Sequence, residues 1–595
     1  MWLGQVGGLA LGVFGGRAGG GWNGLWMLRK FVFSLTLLVP LVAGAAPTPV
    51  EQDRFRFPSA VGRKGMVASP EVRASRAGLQ VLKDGGNAVD AAVTMAFVLA
   101  VTLPRAGNIG GGGFMLIRDP EGKVYALDFR ERAPERSTRT MLQDEHGNRD
   151  ADKATIGALS VGVPGTVAGM DLAIKRFGSW DLKRAVAPAR KIAETGFHVP
   201  PWLTAEVERV RPGLSRFPDS KRIFFPGGFP LPTDSVWKQP ELAATLGLIE
   251  LRGAAGFYEG PVAAKIAKSI RVHGGVMTVQ DLKNYKAVWR EPVHGNYRGY
   301  DIASMPPPSS GGVHLIQALN VLEGYPMRED GLNSAVNLHR IIETLRQCYA
   351  DRSQWLGDPD YVKVPVDYLI SKDYAKKIRE QIPDRKARTS PQVGPAQIPG
   401  YESDQTTHFS VADEKGWAVS LTYTLNFSYG SGLVAEGTGV LLNDEMDDFS
   451  AAPGKPNGFG LLGGKANAIE PGKRPLSSMT PTIVQHDGQF VAALGSPGGS
   501  TIITTVLQVI LGIVDFDQNA QSAVCETRIH HQWYPDEVKY EQGLSPDTLG
   551  MLRSWGHNMV RADSVGHTML VRRLPNGDFE GGADPRRTGG TALGY

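Results

Sequence analysis

Four stretches of the chain share one pattern, and their distribution is the strongest constraint on the fold. "GFMLIRDPEGKVYALDF", "HFSVADEKGWAVSLTYTL", "PTIVQHDGQFVAALG" and "HTMLVRRLPNGDFEGGA" each set alternating or apolar runs around a turn containing Asp or Asn with Gly. Such turns reverse the chain with the twist that antiparallel strands need, so each stretch reads as a β-hairpin. One lies early in the chain and three follow residue 400. The sheets must therefore combine both halves.

The first half is otherwise mainly helical. "SPEVRASRAGLQVLKDGG" carries a helix start at Ser69-Pro70 and a stop at Gly85-Gly86. "NAVDAAVTMAFVLAVTLP" is apolar on nearly every face and reads as a buried helix ended by Pro104. "SAVNLHRIIETLRQCYADR" sets Leu338, Ile341, Ile342, Leu345, Cys348 and Tyr349 on one stripe at helical spacing. That stripe makes Cys348 a core residue rather than a reactive thiol. Hairpins mixed with buried helices predict a layered α/β body with largely antiparallel sheets.

A chain of 595 residues has room for three or four domains, or for one large α/β body. Its 73 glycines are spread throughout, which points to tight turns rather than low complexity. The stretch from Met27 has a basic start (Arg29, Lys30), an apolar run Phe31 to Val42, and Ala43-Gly44-Ala45 before Ala46. It reads as a secretory signal peptide, too short in its apolar run for a comfortable span of about 20 residues. An uncleaved anchor helix is the alternative. On this reading residues 1–45 would be an upstream extension and signal peptide, with the start expected at Met27, and the protein would be exported, to the periplasm or beyond the cell. Export removes Arg17, Arg29 and Lys30 from the formal charge of +4, leaving about +1. That is too little for a nucleic-acid footprint. Cys348 and Cys525 are the two cysteines, and their pairing is not readable from sequence. The twelve histidines show no HExxH or other ligand spacing, and no CxxC occurs, so no metal is expected.

"DRKARTSPQVGPAQIPGYESDQ", Asp384 to Gln405, has the composition of a linker: three prolines, two glycines and no periodicity. Immediately behind it, "SDQTTHFSV" opens a strand on Thr406-Thr407. Threonine favours strands, and that alone is an adequate reading of the pair. A cut between Gln405 and Thr406 would give a second one. The freed α-amine, with a pKa of about 7.7–8.0, could act as base for the adjacent hydroxyl, so one residue would supply both nucleophile and base. Two glycine-rich loops need sorting. "GNIGGGGF" follows a helix and precedes a strand, the reverse of a nucleotide loop. "GSPGGS", Gly495 to Ser500, lies between a strand and an apolar run and can aim two backbone N–H groups at one point, as an oxyanion hole requires; a plain strand-to-helix turn is the alternative. His408 reads as a strand residue.

From Thr406 to Gly499 the chain closely resembles γ-glutamyltranspeptidase, a family of the N-terminal nucleophile hydrolases. "QTTHFSV", "TYTLNFSYGSG", "LLNDEMDDFS", "KRPLSSMTPTIV" and "GSPGGS" occur in the family's order and spacing. "GGNAVDAA", "LDFRERAP" and "DPRRTGGTALGY" match elsewhere, so the resemblance runs from about residue 55 to Tyr595. It implies a four-layer αββα sandwich built from both subunits of a self-cleaving precursor. The large subunit would be residues 46–405, ending in the flexible linker 384–405, and the small catalytic subunit residues 406–595. The two would remain a heterodimer, with no cofactor, no nucleic acid and no stable membrane anchor.

The resemblance also implies the site. Thr406 is the nucleophile, Thr424 its hydrogen-bonding neighbour, and Gly498 and Gly499 the oxyanion donors. Arg130, Ser477 and Ser478 receive the α-carboxylate of a γ-glutamyl group, where a planar two-pronged guanidinium fits well. Asn426, Glu445 and Asp448 receive its α-ammonium; some members carry glutamine or asparagine at Glu445. Pro453 to Pro475 resembles a lid loop with Phe459 as its gating aromatic, where some members have tyrosine. The activity implied is γ-glutamyl transfer from glutathione or similar amides to water, amino acids or peptides. The alternatives are a β-lactam acylase of the same superfamily and a non-catalytic exported amino-acid-binding relative.

Overall fold

The computed structural model describes residues 57–394, 406–458 and 460–595. The signal segment, Gln405 and Phe459 lie outside the described residues. All four predicted hairpins are present, at Gly112–Arg118 with Val124–Phe129, Thr407–Asp413 with Ala418–Thr424, Thr482–His486 with Gln489–Gly495, and Met569–Arg573 with Phe579–Ala583. They build two seven-stranded sheets. In the first sheet the strand Thr407–Asp413 is central, between Gly65–Ser69 and Ala418–Thr424, which in turn pairs with Gly112–Arg118. In the second, Gln489–Gly495 lies between Met569–Arg573 and Thr482–His486, which pairs with Tyr300–Ser304. Every pairing in both sheets is antiparallel.

Side-chain alternation along the strands shows how the layers stack. Met66, Ala68, Phe114 and Leu116 of the first sheet share a core with Ala303, Ile483, Ala493 and Val571 of the second. Their neighbours Val67, Met115 and Ile117 face the other way, into a core with the helix Ala88–Thr102. Val484, Ala492 and Leu494 face away from the shared core as well, towards the helices Gly311–Leu322, Ala335–Trp355 and Thr501–Val514. Helix, sheet, sheet, helix is the four-layer order. The described residues form one compact unit.

The helices follow the sequence with one shift. Ala88–Thr102 is buried at every position, and its amino end carries an Asn87/Asp90 capping box. Asp413, the last residue of the central strand, accepts a hydrogen bond from Ala88 N at 2.8 Å and ties that helix to the later half of the chain. Cys348 is buried within Ala335–Trp355, and both cysteines are free thiols. The helix expected to start at Ser69-Pro70 instead spans Val72–Lys83. Ser69 ends a strand, and the Glu71 carboxylate caps the helix by accepting from Arg73 N and Ala74 N. No described helix is long and apolar enough to cross a membrane.

Candidate active site

The central hairpin places the two threonines. Thr407 pairs with Tyr423, so Thr406 lies across from Thr424 at the open end of the hairpin. Both are buried, and both line a narrow pocket with Arg130, Asn426, Glu445 and Asp448. Ser477, Ser478 and Gly499 of the predicted set line it as well. Thr424 Oγ1 accepts from Asn426 N at 2.8 Å, which fixes the turn out of the strand, and Asn426 takes a left-handed φ of +77° there. Asn426 Nδ2 donates to the Asp444 carbonyl at 3.0 Å, so its amide oxygen remains the acceptor available to a ligand. Gly498 lies one residue before Gly499, in the loop between Gln489–Gly495 and Thr501–Val514, but outside the pocket lining. Its φ of +138° and the φ of +52° at Gly499 are why glycines occupy this turn.

Charge organises the pocket. Arg130 is fully buried and pairs with Glu445 and with Asp448, both on the 3-10 turn Glu445–Asp448. Burial works against its charge, yet Glu445, Asp448 and Glu131 hold its pKa above the usual arginine value. Burial pushes the Glu445 carboxyl well up, against the pull of Arg130. The ion pairs close across the pocket and leave it about 20 Å³, room for about one water. Asp447 faces away from this pair and is no solvated loop residue: it is buried, bonded by Arg149 Nε at 2.6 Å and by Gly458 N at 2.9 Å. Burial raises it to about 6. The Gly458 bond anchors the predicted lid segment beside the site, and Leu461 of that segment lines the pocket.

Two residues absent from the predicted set stand behind it. Glu131 is wholly buried 3.6 Å from Arg130, and neither carboxylate oxygen has a hydrogen-bond partner. Burial raises it to about 7, with Arg130 opposing. Arg352 donates from Nη2 to Ser478 Oγ at 3.2 Å. Glu131 directly follows Arg130, which was the available signal; Arg352 gave none, since it reads as one more polar residue late in a helix. His408 is a satisfied core residue, bonded to Thr422 Oγ1 and Ser410 Oγ at 2.8 and 2.9 Å, and burial lowers its pKa to about 3. Helical i,i+4 spacing brings His339 and Glu343 together with His557. The two imidazoles bond one another at 2.8 Å and Glu343 pairs with Arg388 at 2.6 Å. A larger pocket, about 430 Å³ beside Trp237, Leu231 and Pro240, contains none of the predicted site residues.

The family model described as Gamma-glutamyltranspeptidase matches residues 74–594. The chain belongs to the γ-glutamyltranspeptidase family. It is 47% identical over 559 residues to a curated protein named glutathione hydrolase proenzyme from Escherichia coli strain K12, covering 93% of this chain and 96% of that one. Among solved structures, a cephalosporin acylase from Bacillus halodurans superposes with a TM-score of 0.81 at 27% identity, covering 94% of this chain and 99% of that one. A γ-glutamyltranspeptidase from Helicobacter pylori matches with a TM-score of 0.54 at 44% identity, covering 56% of this chain and 96% of that chain. These neighbours are N-terminal nucleophile hydrolases, in keeping with the αββα layering of this γ-glutamyltranspeptidase-family chain.

Proposed function

We propose that this chain is an exported γ-glutamyltransferase and glutathione hydrolase that matures by cutting itself between Gln405 and Thr406. The observation that carries the reading is the pocket itself: a threonine hydroxyl, a buried arginine and two carboxylates converge on one narrow cleft. A γ-glutamyl head group carries a carboxylate and an ammonium on one carbon. It can insert between Arg130 and its partners, the carboxylate taking Arg130, Ser477 and Ser478, the ammonium taking Glu445, Asp448 and Asn426. Each ion pair given up is replaced by one of the same sign order, so no charge is left buried alone.

In maturation, Thr406 Oγ attacks the Gln405 carbonyl carbon. The peptide nitrogen leaves as the Thr406 α-amine, and water cleaves the resulting ester. In turnover that amine takes the hydroxyl proton as Oγ attacks the γ-carbonyl. Thr424 orients the nucleophile, and the Gly498 and Gly499 N–H groups meet the oxyanion. The amine then returns the proton to the departing nitrogen, leaving a γ-glutamyl ester on Thr406. Water, an amino acid or a peptide resolves it.

The likeness to a cephalosporin acylase makes acylase activity the reading to separate. Release of chromophore from a γ-glutamyl anilide, compared with a glutaryl anilide that lacks the α-ammonium, does so. The γ-glutamyl donor is expected to be preferred by about 10–100-fold, the worth of a hydrogen bond to a charged group. Equal rates, or a preference for the glutaryl donor, would contradict the proposal. Adding an acceptor dipeptide measures transfer against hydrolysis.

A further inference from the structure

Arg352 is buried, 5% exposed, in the helix Ala335–Trp355. Arginine keeps its charge in proteins and is rarely buried without a carboxylate partner. Here the partners are hydroxyls: Nε donates to Ser310 Oγ at 2.9 Å and Nη2 to Ser478 Oγ at 3.2 Å. No ion pair among the described residues includes Arg352; burial pushes its pKa down to about 10, with Tyr349 and Asp448 opposing through space and Arg130 adding to the fall. A buried cation without an anion of its own stands directly behind Ser478, which lines the pocket with Arg130.

The hydrogen bonds give that charge a direction. A serine hydroxyl has one hydrogen to donate and lone pairs to accept with. Ser478 Oγ accepts from Arg352, and Ser477 Oγ accepts from Met479 N at 3.1 Å. Both hydroxyls are thereby left as donors, and both line the pocket. Ser310 relays the same guanidinium: it accepts from Arg352 Nε and donates to the Ser477 carbonyl at 2.8 Å. One arginine thus orients the side chain of Ser478 and the backbone of Ser477.

We infer that Arg352 is a positioning residue of the anion subsite, selecting donors with a free α-carboxylate by turning the Ser478 hydroxyl into a hydrogen-bond donor, by holding the Ser477 backbone through Ser310, and by supplying a second positive charge behind them. The inference rests on the γ-glutamyl reading above. Its test compares a γ-glutamyl anilide with the same anilide bearing an α-carboxamide, using the matured enzyme and its Arg352→Gln, Arg352→Lys and Ser310→Ala variants. Arg352→Gln is expected to raise KM for the carboxylate donor about 10–100-fold, the worth of a hydrogen bond to a charged group plus its charge, with a much smaller change in kcat. Its kcat/KM for the carboxamide donor should change less than about threefold, and Arg352→Lys should recover part of the loss. Ser310→Ala removes only the relay and should raise KM for the carboxylate donor alone. It carries the comparison, with Arg352→Lys, should Arg352→Gln fail to mature. Parallel loss on both donors, or an unchanged KM for the carboxylate donor, would overturn the inference while leaving the γ-glutamyl reading intact. A wild type that uses neither donor would overturn that reading and this inference with it.

Discussion

Arg130 has three carboxylates around it, Glu131, Glu445 and Asp448, and one charge with which to meet them. Burial raises Glu131 to about 7 and pushes Glu445 well up too, so these two neighbours hold a proton between them. Between the unfolded value of Glu131 near 4.5 and about 7, the folded protein holds a proton that the unfolded chain has lost. Stability contributed at this position therefore falls as pH rises through that window. Glu131→Gln cannot ionise, so the variant should gain on wild type in thermal denaturation between pH 5 and pH 8; a constant gap would contradict the assignment. Asp448→Asn keeps the shape of its partner and removes the charge offered to the ammonium. It should raise KM for a γ-glutamyl anilide by about 10-fold to 100-fold with self-cleavage preserved. An unchanged KM would place the ammonium elsewhere.

The loop Gly495–Ser500 is the element on which the oxyanion proposal depends. Its φ of +138° at Gly498 is closed to an L side chain, so Gly498→Ala must shift the turn. We expect kcat to drop about 10²–10³-fold, as for loss of an oxyanion donor, with a smaller change in KM. A kcat within a few-fold of wild type would remove Gly498 from the reaction. Elements of this size were legible where their cause is local. The four hairpins were readable because turn chemistry and alternation lie within about twenty residues of sequence, and the buried helix because its every face is apolar. The helix start was misplaced because Ser69 belongs to a strand and a glutamate took the cap. The pairing of Arg130 with Glu445 joins positions 315 residues apart, and no period or spacing encodes that. Only the family resemblance brought those residues together in advance, and it carried neither Glu131 nor Arg352, whose roles arise from what burial leaves unpartnered.

At the scale of the whole molecule the proposed cut falls inside the first sheet's own supply line. Residues before 405 give that sheet four strands and residues after it three; the second sheet takes three and four. Central strands from the later segment are flanked by strands from the earlier one on both sides. The two chains should therefore co-elute in native size exclusion after cleavage and part only on denaturation, and neither chain expressed alone should give a cooperative melt. A folded, freely separating small chain would contradict the shared-sheet account. The central claim is that Thr406 becomes an N-terminus by its own chemistry. Intact mass of the purified protein, wild type beside Thr406→Ala, tests it most directly. The account predicts two chains from the wild type, the smaller one beginning at Thr406, and one uncut chain from the variant. A wild type that stays a single chain after prolonged incubation, or a variant that is cut at the same bond, would contradict it.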